Sequence, residues 1–112
     1  MEINIAQRGD VVVVAVVGSI DATSAPQLST ALSDQIGRGR VRLVGDLSGC
    51  DYTSSAGLRA LLGSVKDSRS GGGDLRLAGV QKNVFKVLEM SGFTSILKSF
   101  PDVDQAVASF GG

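Results

Sequence analysis

Ser54 and Ser55 stand directly ahead of Leu58, Leu61, Leu62 and Val65, an apolar set spaced i, i+3, i+4 and i+7. That spacing predicts an amphipathic helix opening at the serines and ending at Ser70-Gly71-Gly72-Gly73. The first N–H groups of a helix have no intrahelical partner, and the helix dipole adds roughly half a positive charge there, so the position favours negative charge. A hydroxyl at such a place can cap the helix, or it can carry a phosphate without wrecking the fold. Spacing alone leaves both uses open, and they are compatible if Ser54 caps while the hydroxyl of Ser55 stays exposed.

A third use, nucleophilic attack, needs a base beside the serine. The chain has no histidine, so Ser-His-Asp and Cys-His pairs and imidazole metal sites are impossible within it. Asp21 and Lys66 are the remaining candidates for a hydrolase or transferase built on Ser55, but nothing spaces them for the task and the G-x-S-x-G elbow is absent. The expectation is a protein that is not an enzyme. Gly37-Arg38-Gly39-Arg40, Gly45 to Gly49 and Gly71 to Gly73 fit neither a P-loop nor a dinucleotide fingerprint and read as turns, so no cofactor and no metal is expected.

Eleven basic residues balance eleven acidic ones in 112 residues, with no long run of either sign. The basic footprint of a nucleic-acid or anionic-membrane binder is therefore missing. The longest apolar run, Val11 to Val17, is far below the roughly 20 residues that cross a bilayer, and Met1-Glu2-Ile3-Asn4 lacks the pattern of a signal peptide. Cys50, the single cysteine, excludes an internal disulfide and reads as a small packed thiol. Together these predict one cytoplasmic domain spanning residues 1–112.

The elements that must position the serines are legible as alternating patterns. Glu2 to Gln7 alternates polar and apolar, Gly9-Asp10 marks a hairpin turn, and Val11 to Val17 is a β-branched run. After the loop Gly18 to Asp21 comes a helix with Ala25, Leu28, Leu32 and Ile36 on one face and Pro26 in its first turn. A strand from Val41 ends in Asp46-Leu47-Ser48, and Asp74 to Ala78 is a further strand. Val80, Val84, Val87 and Leu88 mark a third helix, and Ser95 to Lys98 a short edge strand. Pro101-Asp102, with Asp102 and Gln105 as a capping pair, opens a fourth helix through Val103, Ala106, Val107 and Phe110. The predicted fold is α/β: a mixed, mostly parallel sheet of four to five strands with about four helices and one antiparallel hairpin.

Gly18-Ser19-Ile20-Asp21, Asp46-Leu47-Ser48, Tyr52-Thr53-Ser54-Ser55-Ala56-Gly57-Leu58 and Met90-Ser91-Gly92-Phe93 together resemble the STAS domain, specifically the anti-sigma factor antagonists. The resemblance runs nearly end to end. It implies a partner-switching protein that binds an anti-sigma factor, itself a serine kinase of the histidine-kinase ATPase type, and so frees the sigma factor. Phosphorylation of a serine separates the pair, and a PP2C-type phosphatase restores binding.

In that family the target is the first serine of D-S-S-G-L, which aligns with Ser55 and makes Ser54 the second choice. Ser54 replaces the usual aspartate and Ala56 the second serine, and the resemblance aligns Asp46 with a polar residue that ends the central strand and orients either the turn or the serine. The implied partner face comprises Asp21, Ser54, Ser55, Ala56, Gly57 and Arg59. Arg59, four residues after Ser55, is placed to reach back toward a phosphate on it. The alternative within the same fold is a scaffold or an accessory subunit of another signalling or lipid-transport complex.

Overall fold

The computed structural model describes residues 1–111. Strand β1 (Glu2–Arg8) and β2 (Val11–Val17) form the expected antiparallel hairpin, in unbroken register from Glu2 opposite Val17 to Arg8 opposite Val11. Helix α1 (Ala25–Gly37), strand β3 (Arg42–Gly49), helix α2 (Ser55–Ser70), strand β4 (Asp74–Ala78), helix α3 (Lys82–Met90), strand β5 (Ser99–Phe100) and helix α4 (Val103–Ala108) follow. The sheet order is β1-β2-β3-β4-β5, and every pair after the hairpin is parallel.

This order never reverses. Successive right-handed crossovers between neighbouring parallel strands put α1, α2 and α3 on one sheet face. Their apolar stripes meet Val12, Val14, Val16, Leu43, Leu47, Leu75 and Leu77 in the larger core. The opposite face carries Val11, Val13, Val44 and Ala78 and is covered by α4 through Ala106, with Val103, Val107 and Phe110 packed around it. Asp102 caps α4, accepting from the Gln105 N–H at 2.8 Å, while the Gln105 side chain donates back at 3.3 Å. Asp74, 6% exposed, accepts from Arg69 Nε at 2.9 Å and Arg76 Nε at 3.0 Å. Arg76 in turn donates to Ser109 and lies 4.1 Å over the Phe110 ring, fastening the C-terminal segment to the sheet.

The predicted edge strand at Ser95 to Lys98 is corrected. A 3₁₀ turn occupies Phe93–Ser95, entered through Gly92 in the left-handed conformation at φ 76°, and the amides of Ile96 and Leu97 both donate to the Phe93 carbonyl. These bonds hold the chain curled until Leu97 is buried in the core. Pairing to β4 begins only when the Leu77 amide donates to the Lys98 carbonyl, so β5 is displaced to Ser99–Phe100. Smaller differences concern helix faces: in α1 Gln35 is buried and Ile36 packs half-buried against the core, Leu62 is half-buried, and Val80 packs against the core from just before α3 instead of lying on it.

Candidate functional site

Ser54 and Ser55 have different backbones, and the difference assigns their hydroxyls. Ser54 is extended at φ −84° and ψ 173°, the N-cap conformation, and its Oγ accepts from the Gly57 N–H at 3.2 Å. Ser55 is the first residue of α2, is exposed, and its hydroxyl makes no hydrogen bond among the described residues. The amides of Ser55 and Ala56 lie in the first turn, where no intrahelical acceptor exists. One serine is thus committed to the helix and the other is presented to solvent.

The start of α2 is held in place by the loop after β2. Ile20 and Thr53 form an isolated parallel bridge, with the Ile20 amide donating to the Tyr52 carbonyl at 2.8 Å and the Ser54 amide to the Ile20 carbonyl at 2.7 Å. Ser19 Oγ adds a bond to the Asp51 carboxylate at 2.9 Å. Asp21 follows Ile20 as Ser54 follows Thr53, so the bridge brings the two loops side by side. Gly57 fills the corner: it is buried, and a Cβ there would overlap Thr53 Oγ1 and lie 2.7 Å from Ile20 Cγ2. Gly57 therefore offers a partner no surface and acts by letting α2 begin against Ile20.

Asp21 is exposed, and its Oδ1 gathers the turn that leads into α1. It accepts from the amides of Ser24 at 2.8 Å and Thr23 at 3.0 Å, and from the hydroxyls of Thr23 at 2.9 Å and Ser24 at 3.1 Å. The bond from the Ser24 amide, then those from the Thr23 and Ser24 hydroxyls, hold its carboxyl below the ordinary aspartate value of 3.8. Asp46 accepts from the Ser48 amide at 3.1 Å and orients the turn as read. By alternation with Leu47 it lies on the α4 face, away from the serines. Cys50 is fully buried, its thiol pointing at the Tyr52 carbonyl at 3.2 Å, and burial raises its pKa above 9.0.

Between α1 and α2 runs an open groove lined by Ala25, Pro26, Ser29, Ala56, Arg59 and Ala60. Ala56 and Arg59 line this groove, and Ser55, next to Ala56 in the chain, does not. Sequence reasoning missed the groove and the contacts between the loops. The groove is edged by small residues at the start of α1 and in the turn before it, a signal present at Ala22, Ala25, Pro26 and Ser29. The Ile20–Thr53 bridge and the Ser19–Asp51 bond join residues far apart in sequence and have no local signature. Among the described residues no cluster of acidic or cysteine side chains could hold a metal ion, and no helix is long and apolar enough to cross a membrane.

Comparison with known proteins agrees with this geometry. The sequence profile of the STAS domain matches residues 2–106. BtrV of Bordetella bronchiseptica, assigned to the anti-sigma factor antagonists, is 39% identical over 93 residues, covering 83% of this chain and 80% of BtrV. The fold is shared with the Thermotoga maritima protein TM1081, also assigned to that group, at a TM-score of 0.91 and 19% identity over 96% of this chain and 93% of that one. It is shared too with the Bacillus cell fate determinant SpoIIAA in its phosphorylated form, at a TM-score of 0.75 and 17% identity, covering 96% and 98% of the two chains. The chain belongs to the STAS domain family, among its anti-sigma factor antagonists.

Proposed function

We propose that this protein is a phosphorylation-controlled antagonist. Its unmodified form binds an anti-sigma factor that is also a serine kinase of the histidine-kinase ATPase type, and a phosphate on Ser55 ends the binding. A PP2C-type phosphatase resets it. The observation that carries the reading is the division of labour at the α2 start: the Ser54 hydroxyl is engaged by the Gly57 amide, and the Ser55 hydroxyl is free and exposed. The existence of a phosphorylated form of SpoIIAA, which has the same fold, supports it.

The partner face on this reading is Asp21, Ser54, Ser55, Ala56 and Arg59, of which Ala56 and Arg59 line the α1–α2 groove, with Gly57 as its internal support. A phosphate on Ser55 adds about −1.5 to −2 charges at neutral pH. At a helix N-terminus that charge is stabilised locally by about 0.3–1 kcal/mol. Inside a protein interface the same charge is desolvated, and juxtaposition with an acidic group there costs several kcal/mol. The complex loses affinity while the fold keeps its stability.

The test is phosphate mapping by mass spectrometry after incubation with a kinase-type anti-sigma factor from the same cell and ATP, with calorimetric binding of Ser55→Ala and Ser55→Asp. Modification on Ser55 is expected, with Ser55→Ala binding as the parent does and Ser55→Asp about 100-fold more weakly. Phosphate on Ser54 alone, or on neither serine, would overturn the assignment.

A further inference from the structure

The sheet has two edges of unequal character. One is β5, only 2 residues long, which leaves little backbone to pair. The other is β1, 7 residues long, bonded to β2 along one side and to no strand along the other. Such an edge is a template for another strand, and proteins that must keep one unpaired blunt it with a proline, a bulge or a central charge. Strand β1 has none of these. Its register with β2 is unbroken, and its middle is Asn4-Ile5-Ala6 with Ile5 48% exposed.

The strand is also complementary to itself. Outward-pointing backbone groups alternate along a strand, so antiparallel pairing of two identical edges must place residues of like parity opposite each other. The longest ladder satisfying this is centred on Ile5. It sets Ile5 against Ile5, Ile3 against Gln7, Asn4 against Ala6, and Glu2 against Arg8 at both ends. Any shift by two residues shortens the ladder and unpairs the charges. Arg8 donates to Asp104 at 2.8 Å through one nitrogen only, and its guanidinium keeps further donors for a second carboxylate.

We propose that β1 is a homodimerisation edge: two copies pair antiparallel through Glu2–Arg8 about a two-fold axis at Ile5, extending one sheet into the next. The occupant is a second copy because the charges match only in that register. Strand β2 separates this edge from β3, whose C-terminal loop leads to Ser54 and Ser55, so the dimer presents two serine sites. An interface of one strand pair falls below about 1,200 Å², the lower limit of standard-size interfaces, so weak association in the range of tens to hundreds of micromolar is expected.

Sedimentation equilibrium from about 10 μM to about 1 mM reads this directly, the mass rising from one chain toward two. Glu2→Lys and Arg8→Glu each set like charges opposite at both ends of the ladder. Each alone should weaken the dimer by roughly tenfold to several-hundredfold. Mixing the two variants restores opposite charges at both ends, so the mixture should dimerise as the parent does; circular dichroism melts establish that each variant is folded. A parent chain monomeric throughout the range, single variants that dimerise undiminished, or a mixture that fails to recover would each overturn the proposal.

Discussion

Gly57 and Gly63 lie on the same helix, and alanine should move their stabilities in opposite directions. At Gly57, the third residue of α2, an added Cβ overlaps Thr53 Oγ1 and lies 2.7 Å from Ile20 Cγ2 and 3.3 Å from Ile20 Cβ. Ile20 is 0% and Thr53 4% exposed, and the Ile20–Tyr52 and Ser54–Ile20 backbone bonds leave neither loop free to withdraw. Two overlaps with buried side chains put the cost near the upper end of the usual overpacking range, at about 2–3 kcal/mol, against a helix-propensity gain of at most ~1 kcal/mol, which leaves a net loss of about 1–2 kcal/mol. At Gly63 an added Cβ meets nothing within 4 Å, so the propensity gain of about 0.5–1 kcal/mol stands alone. For a chain of this length each kcal/mol shifts Tm by about 4 °C. Thermal melts followed by circular dichroism should place Gly57→Ala about 4–8 °C below the parent and Gly63→Ala about 2–4 °C above it. A Gly57→Ala melt at or above the parent would refute the claim that this glycine is what lets α2 begin against Ile20.

Two further outcomes follow from the same site. Ser54→Ala removes the cap and should cost about 1 kcal/mol in urea unfolding, whereas Ser55→Ala should stay within about 0.5 kcal/mol; equal costs would mean the two hydroxyls are not divided as described. Because the folded pKa of Asp21 is depressed, the bonds of its turn contribute fully above 3.8 and are lost as pH falls through the lower folded value. A carboxyl titration by NMR should therefore show a midpoint below 3.8 for Asp21, and a midpoint at or above it would show that the turn is open in solution.

The hairpin, α1, β3, α2, β4 and the cap of α4 were legible because each rests on local chemistry: a β-branched run, an apolar stripe, a proline in a first turn, an Asp-Gln pair. The misplaced edge strand shows where local chemistry fails. Ser95-Ile96-Leu97-Lys98, a short apolar pair between polar residues, is of edge-strand length, yet Gly92 reverses the backbone beforehand and Leu97 is drawn into the core. At the site, only the family resemblance pointed to Ser55 as the phosphate acceptor; spacing identified both serines and both uses of a hydroxyl, but not which serine has which use. That depends on where α2 takes its first helical residue, and Ile20, far away in sequence, decides it through its bond to the Ser54 amide.

This arrangement explains why adjacent serines would serve a switch better than one. A single hydroxyl that both capped α2 and accepted phosphate would lose its cap on modification, and the helix start would pay about 1 kcal/mol each time the signal changed. With Ser54 holding the Gly57 amide, a phosphate on Ser55 leaves that bond intact and meets the remaining first-turn amides, a gain of about 0.3–1 kcal/mol. The bridge between Ile20 and Thr53, closed over Gly57, keeps the platform from relaxing around the new charge. On the proposed reading the modification is therefore felt at the surface, where a partner must desolvate the phosphate. A switch built this way changes what the protein binds and leaves unchanged how it is folded.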